Sequence, residues 1–336
     1  MKNEKILLNH GSGGKLMNQL IRDVILKNLA NPVLDQMQDS AVLKIGNSKI
    51  AFTTDSYIVN PIFFPGGNIG ALAVNGTVND LSMMGAKPLY ISLAIIVEEG
   101  FPMVSLDKII LSIKKEAKKS SVSVVCGDFK VGETKSLDKI FINTSGIGII
   151  QDKVKISTEN VKFGDVIILS GEIAEHGVTV LNERNEFKFK GSLKTDSQPL
   201  NFLVEQMLKA SSNIHAMRDP TRGGLASALN EIAAASGSGI EIDEQAVPVK
   251  KEVMSACDIL GLDPLYVANE GKLVAVVAKK DAQKVLKAMK KTVYGKKAAI
   301  IGNITASKKP QVILKTKIGG KRMLDTLSGE QLPRIC

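Results

Sequence analysis

The chain has 336 residues, of which 44% are hydrophobic and 23% are charged, and it contains no tryptophan. These fractions are close to globular averages and exclude a disordered or collagen-like chain. No apolar stretch approaches the about 18 residues of a membrane helix, and the amino-terminal apolar run is too short for a signal peptide. We therefore expect a cytoplasmic protein of two domains with no membrane partner.

The net charge of +10 comes from one lysine-rich segment, residues 279–322. This segment holds 14 Lys or Arg against one acid, Asp281, so the rest of the chain is slightly acidic. A nucleic-acid footprint is one interpretation, but Tyr294 is the only aromatic residue in the segment, and single-strand binding uses aromatics and Arg. We expect a solvated lysine face and no nucleic acid; the alternative is a scaffold that binds a polyanion.

Apolar spacing predicts alternating helices and strands in a first unit, residues 1–153. The predicted helices are 14–29, 68–84 and 106–119, and the predicted strands are 41–45, 49–54, 89–97, 122–126 and 139–150. Gly46-Asn47-Ser48 separates the first two strands and favours a hairpin. This order indicates an α/β domain.

A second unit, residues 154–319, again mixes the two kinds of element and is predicted to be an α+β domain. The predicted strands are 165–170, 240–242, 272–278, 299–304 and 311–315, and the predicted helices are 174–184, 200–211, 223–235 and 281–292. Residues 320–336 show little periodicity, so we expect a mobile tail that ends at Cys336.

Four aspartates lie at the edges of predicted apolar segments: Asp39, Asp55, Asp80 and Asp128. Strand ends in an α/β layer point toward a common rim, so these carboxylates are expected to converge. Mg²⁺ prefers such hard oxygen ligands and usually binds through a few carboxylates together with substrate phosphates. For any one of these residues, a turn or capping role is the alternative.

Two glycine-rich turns precede predicted helices and are candidate phosphate sites. Gly11, Gly13 and Gly14 lead into the first helix, although Leu16 stands where a dinucleotide fingerprint has its third glycine. Backbone N–H groups at such an entry bind phosphate. Asp219 and Arg222 lie in a similar turn, where a helix-capping role is equally compatible with the sequence.

The last residue is a cysteine, Cys336. With Cys126 and Cys257 it makes an odd set of widely spaced thiols, which provides no disulfide framework. No residues follow Cys336, so it does not form a prenylation motif. A thiol at the end of a mobile tail suits an arm that carries a covalent group; the alternative is an incidental terminal cysteine.

Together these motifs resemble the HypE family of hydrogenase maturation proteins, the carbamoyl dehydratases, over nearly the whole chain. The motifs are NHGSGGK at 9–15, QDSAVL at 38–43, TTDS at 53–56, NDLSMMGAKP at 79–88, VCGDFKVGE at 125–133, RDPTRGGLA at 218–226, ANEGK at 268–272 and PRIC at 333–336. The aspartate motifs alone indicate only the wider aminoimidazole ribonucleotide synthetase-like superfamily. The terminal PRIC is the discriminating element.

The resemblance implies a two-domain aminoimidazole ribonucleotide synthetase-like fold that binds ATP between its domains and forms a homodimer through the amino-terminal domain. A selenophosphate synthetase-like enzyme is the alternative within the superfamily. Such an enzyme is expected to carry Cys or selenocysteine in the amino-terminal glycine loop, where this chain has neither.

The implied reaction begins when a carbamoyltransferase, HypF, loads a carbamoyl group onto the sulfur of Cys336. ATP with Mg²⁺ then drives dehydration of this group to a thiocyanate, and the cyanide goes to iron on a HypC–HypD scaffold. The resemblance implies that Glu270 is the base and that Lys130 orients the carbamoyl group. It places the metal on Asp39, Asp55, Asp80 and Asp128, and the nucleotide on Gly11, Gly13, Gly14, Asn75, Asp219 and Arg222.

Overall fold

The computed structural model describes residues 5–184, 193–307, 309–327, 329 and 335. Cys336 therefore lies outside the described residues. Across these ranges no helix has the length and apolar character that a membrane span needs.

The described residues of the amino-terminal half contain four α-helices and seven strands. They are α1 (Lys15–Leu20), α2 (Lys27–Leu29), β1 (Ala41–Ile45), β2 (Ser48–Tyr57), β3 (Phe63–Phe64), β4 (Gly67–Asn68), α3 (Ile69–Met83), β5 (Lys87–Glu98), α4 (Met103–Ser120), β6 (Ser123–Gly132) and β7 (Ile140–Ile150). Wider helical turns over Ile21–Leu26 join α1 to α2, so the predicted helix 14–29 is confirmed. β1 and β2 form the predicted hairpin.

Five of these strands form one sheet in the order β1-β2-β7-β5-β6, and β5 and β6 run parallel. α3 is buried along almost its whole length between this sheet and α4. α4 presents Ile109, Ile113 and Ala117 to the same core, at helical spacing. We call the face under α3 the inner face of the sheet.

The opposite, outer face of the sheet has no described helix against it. Phe52, Tyr90, Ile96, Ile147 and Ile149 are exposed there. Nearly every side chain of the edge strand β6 is exposed as well. An apolar sheet face of this kind is typical of a protein interface.

The carboxyl-terminal half contains five helices and seven strands in the described residues. They are β8 (Val166–Leu169), α5 (Glu175–Arg184), α6 (Asn201–Ala210), β9 (Ile214–Arg218), α7 (Gly224–Ser236), β10 (Gly239–Asp243), α8 (Lys251–Leu260), β11 (Val274–Val277), α9 (Ala282–Lys290), β12 (Ala299–Thr305), β13 (Val312–Lys315) and β14 (Lys321–Met323).

These strands form a seven-stranded sheet in the order β14-β13-β10-β12-β8-β11-β9. β8 and β11 are its most deeply buried strands, with α7 against one face and α6 and α9 against the other. The lysines of α9 face outward while Val285 and Met289 are buried, as expected of a solvated lysine face. The strand β9 and the helix α8 were not predicted. β9 is short and lacks a clean apolar alternation, whereas α8 carries Val253, Ala256, Cys257 and Leu260 at helical spacing, so its signal was present and was overlooked.

The predicted tail begins too early. β14 pairs with β13, Leu324 is fully buried, and its N–H donates to the carbonyl of Val312 at 2.8 Å. Asp325 lies 2.6 Å from the ammonium of Lys15. Residues 321–324 therefore extend the carboxyl-terminal sheet, and Asp325 and Leu327 contact α1, whereas the sequence assigned this stretch to the tail. All three β14 side chains are exposed, so no apolar pattern marks the strand.

The division between the two units, at 153/154, stays a prediction. The two large sheets take their strands from residues 41–150 and 166–323. The segment between them contains one short 3₁₀ turn, Thr158–Asn160.

Candidate active site

A cavity of about 250 Å³ lies between the two halves of the molecule. Six carboxylates from both halves line it: Asp39, Asp55, Asp80, Asp219, Glu231 and Glu270. Asp39 precedes β1, Asp55 lies on β2 and Asp80 lies on α3, while Asp219 follows β9 and Glu270 precedes β11. The sequence placed Asp55 at the end of a strand, but β2 continues to Tyr57, so Asp55 points from within the strand.

The positions of the cavity carboxylates are set by neighbouring polar groups. The hydroxyl of Thr53 lies 2.9 Å from the Asp80 carboxylate and 3.0 Å from the carbonyl of Asp39. The guanidinium of Arg218 pairs with the Asp39 carboxylate and donates to the carbonyl of Met37 at 2.7 Å. These contacts hold β1, β2, α3 and β9 around one point.

The cavity accumulates negative charge in a poorly solvated place. Burial raises the pKa values of Asp80, Asp219 and Glu270 well above their usual range, and neighbouring carboxylates raise them further. Burial also raises the pKa of Asp55, although the Arg222 guanidinium opposes this shift. A bound cation would relieve this repulsion.

The donor atoms fit a hard cation that arrives with phosphate. Among the described residues, buried oxygens of Asp39 and Glu270 have no hydrogen-bond partner. Across the described ranges, no three His, Cys, Asp or Glu side chains already surround one metal position. Mg²⁺ usually takes only one or two carboxylates and completes its shell with substrate phosphate and water, so a closed protein cage is not needed.

Asp128 and Lys130 do not line this cavity. Asp128 pairs in register with Ala94, which lies opposite Asn143 on the outer face, whereas Asp55 lies opposite Thr144 on the inner face. β6 is also three strands from β2, which is about 14 Å at ordinary strand spacing. Asp128 instead pairs with Lys130 at 2.8 Å, and this hydrogen bond lowers the pKa of Asp128.

The predicted glycine cradle is only partly at the cavity. Gly13 lines it, with φ at +75°, and a side chain there would collide with Arg222. The first N–H of α1, on Lys15, donates to the carbonyl of Leu327 at 3.0 Å. Since a carboxyl-terminal residue already caps α1 beside Gly14, this helix end does not offer that N–H to phosphate. Gly11 lies outside the cavity lining, and its carbonyl accepts from Arg222 at 2.8 Å.

Asn75 lies beneath the cavity and does not line it. It is buried on α3, and its side-chain amide donates to the hydroxyl of Ser197 at 3.1 Å. The neighbouring residue Gly76 does line the cavity. Arg222 and Asp219 both line it, and their role toward a nucleotide stays a prediction.

These features are matched by known proteins over the whole chain. Family models of the AIR synthase related protein match residues 37–150 with the N-terminal domain and 162–315 with the C-terminal domain. The chain is 46% identical to the carbamoyl dehydratase HypE of Azotobacter vinelandii, over 100% of this chain and 98% of that protein. The chain belongs to the HypE family.

Solved HypE structures have the same fold. A HypE structure in complex with ATP matches with a TM-score of 0.83 and 44% identity, over 99% of this chain and 100% of that chain. HypE in a HypE–HypF complex matches with a TM-score of 0.88 and 47% identity, over 92% of this chain and 99% of that chain. The selenophosphate synthetase-like alternative is not favoured.

Several cavity residues were not singled out from the sequence of this HypE family member. Arg218 and Glu231 line the cavity, and Arg218 carries the ion pair that fixes Asp39. Arg218 opens the RDPTRGG motif, so the motif itself was the available signal. Glu231 lies in the middle of α7 and has no sequence signal of its own.

Proposed function

We propose that this protein is an ATP-dependent carbamoyl dehydratase. It converts a carbamoyl group on the sulfur of Cys336 into a thiocyanate, and the cyanide becomes a ligand of the iron in [NiFe]-hydrogenases. The overall reaction balances: the S-carbamoyl group and ATP give the S-cyano group, ADP, hydrogen phosphate and a proton. The oxygen that leaves the carbamoyl group ends in the phosphate.

The observation that carries this proposal is the enclosed carboxylate cavity between two domains of a full-length HypE family member. An amide oxygen is a poor leaving group, and transfer of a phosphoryl group makes it a good one. Phosphoryl transfer depends mainly on positioning and charge neutralisation. A cavity rich in unneutralised oxygen ligands is suited to that task.

Asp39, Asp55 and Asp80 are the residues that would hold Mg²⁺. The metal, when bound, neutralises charge on the transferring phosphate. Arg222, Asp219 and the backbone at Gly13 would contact the nucleotide from the opposite side of the cavity. Asn75 supports them by tying α3 to Ser197.

Glu270 is the candidate base that removes protons from the carbamoyl nitrogen. One of its carboxylate oxygens is buried and has no hydrogen-bond partner in the described part of the chain, and its pKa is raised. A carboxylate with a raised pKa is a stronger base than an ordinary one, which suits it to accept a proton from nitrogen. Its backbone is held in place, because the N–H of Glu270 donates to Asp196 at 3.1 Å.

Asp128 and Lys130 would take part only in a homodimer. They share the outer face of the amino-terminal sheet with exposed apolar residues such as Phe52 and Ile147. Two copies that covered these faces against each other would present both residues to another molecule of the chain. The proposed roles of Lys130 and Asp128 therefore depend on the proposed homodimer.

The proposed partners follow from the reaction. HypF supplies the carbamoyl group, and a HypC–HypD scaffold receives the cyanide. We place the reaction in the cytoplasm, a reducing compartment in which the described cysteines, Cys126 and Cys257, are expected to stay free thiols.

The test is the intact mass of the protein after incubation with HypF, carbamoyl phosphate and ATP. We expect addition of one carbamoyl group and then loss of one water, with both changes mapped to Cys336. Cys336→Ser should bind Mg·ATP normally and yield no thiocyanate, because a serine hydroxyl is a far weaker nucleophile than a thiolate. Thiocyanate on Cys126 or Cys257, or full activity of the serine variant, would contradict the proposal.

A further inference from the structure

A buried histidine contacts the carboxyl-terminal end of the chain. The Nε2 atom of His176, on α5, lies 2.9 Å from the carbonyl oxygen of Ile335. His176 is fully buried, and Ile335 is only 7% exposed. The Phe64 ring meets the imidazole edge to face, with centroids 5.5 Å apart. The penultimate residue of the chain is thus seated in the protein.

The hydrogen bonds around His176 have a defined direction. A carbonyl oxygen only accepts, so Nε2 carries the proton and donates to Ile335. The Nδ1 atom lies 2.7 Å from the hydroxyl of Thr195, which therefore donates to the ring. The same hydroxyl accepts from the N–H of Ser197 at 3.0 Å. Burial lowers the pKa of His176, in agreement with a neutral ring.

The segment that orients His176 also holds Glu270. Asp196 follows Thr195, and its carboxylate accepts from the Glu270 N–H and lies 3.1 Å from the ammonium of Lys272. Gln198 donates from its side chain to the carbonyl of Gly271 at 2.9 Å. Residues 195–198 therefore connect the seat of Ile335 to the carboxylate cavity.

We propose that His176 is a positioning residue that grips the carboxyl-terminal peptide by the carbonyl of Ile335. Cys336 is bonded directly to that carbonyl, so the grip fixes the start of the residue that carries the reacting group. A histidine that only filled the core would not need to donate a hydrogen bond to the carbonyl of Ile335. The grip itself does not depend on the proposed function, but its contribution to dehydration does.

The first test measures access to Cys336 in the full-length protein. In a Cys126→Ser background, alkylation of Cys336 by iodoacetamide is followed by peptide mapping, with buried Cys257 as the internal reference. His176→Leu, which has no donor, should raise the alkylation rate about tenfold, the equilibrium effect of one lost hydrogen bond. His176→Gln, which keeps an N–H donor of similar reach, should stay closer to wild type.

A second pair of variants guards against a folding defect in His176→Leu. Thr195→Val keeps the imidazole but removes the hydroxyl that fixes its tautomer, so Cys336 should also become more reactive. Thr195→Ser, the matched control, keeps the hydroxyl and should behave as wild type. An unchanged alkylation rate in both His176→Leu and Thr195→Val, or equal rates in the Gln and Leu variants, would overturn the proposal.

The second test separates the grip from the reaction. Carbamoylation by HypF should be at least as fast as in wild type in His176→Leu, because the Cys336 thiol is released, whereas dehydration of the loaded protein should slow about tenfold and recover partly in His176→Gln. Mg·ATP affinity should not change. Equal dehydration by wild type and His176→Leu would remove the positioning role. If alkylation follows the expected order but wild type yields no thiocyanate, the proposed function fails and the grip stands.

Discussion

The cavity carboxylates and the Asp128–Lys130 pair place the same chemical group in opposite surroundings. In the cavity, burial and mutual repulsion raise the pKa of Asp80 and Asp219. On the open edge strand β6, a neighbouring ammonium lowers the pKa of Asp128. The first group is incompletely neutralised within the chain, and the second already has a partner.

This difference shows which acids are prepared for a ligand. Uncompensated negative charge in an enclosed place lowers the stability of the folded chain. A bound cation restores that stability. An exposed ion pair costs little and contributes little. The four predicted aspartates therefore lie in two different environments. Only those in the cavity are placed to bind a cation within one copy of the chain.

The largest effect is expected from Asp80→Asn. Mg·ATP affinity should fall by about 100-fold, as for loss of a buried charged contact. Without nucleotide the variant should melt at or above the wild-type temperature, because one source of repulsion is gone. Isothermal titration and scanning calorimetry measure both quantities.

Asp128→Asn is the matched control for stability and should melt like wild type, since its carboxylate is exposed. If Asp80→Asn bound Mg·ATP at wild-type affinity, Asp80 would not belong to the site and the comparison of enclosed and open acids would lose its functional meaning.

A second, smaller effect concerns the outer face that carries Asp128. Ile147→Asp puts a charge in the middle of this apolar face, so sedimentation should show at least about a tenfold weaker self-association. Ile259→Asp, on the exposed side of α8, is the control and should leave association unchanged. A wild-type monomer at all concentrations measured would contradict the homodimer, and with it the shared role of Asp128 and Lys130.

The smallest effect is in the pH dependence of stability. Carboxylates with raised pKa values bind protons more tightly in the folded protein, so their contribution to stability is lost as the pH rises through those values. The nucleotide-free wild type should therefore lose more stability than Asp80→Asn between about pH 5 and 8.

His176, whose pKa is lowered, acts in the opposite direction. It is present in both proteins, so the difference between the two curves of stability against pH reports on Asp80 and the cavity carboxylates that repel it. Parallel curves would show that the Asp80 carboxyl group titrates as it does in the unfolded chain.

Much of the fold follows from local pattern in the sequence. The apolar period of α4 and the turn between β1 and β2 are encoded within a few residues, and both elements appear where they were predicted. β14 was missed because its side chains are exposed and only backbone pairing defines it. Periodicity detects burial, and a strand without burial leaves no such signal.

The candidate site divides in the same way. Motifs identified Asp39, Asp80 and Asp219, since acids beside glycine and apolar segments are a local feature. They did not reveal that Asp128 faces the other side of the sheet, because that depends on register across three strands. Two residues in similar motifs can therefore lie on opposite faces.

What the sequence by itself determined is the order of the elements, the family and the residue types available for chemistry. Only the tertiary structure decided which of these residues meet. Arg218 pairs with Asp39, and His176 donates to Ile335, across separations of 179 and 159 residues. Such contacts, and the pKa shifts that burial produces, arise from packing between distant segments, and no local stretch of sequence contains that information.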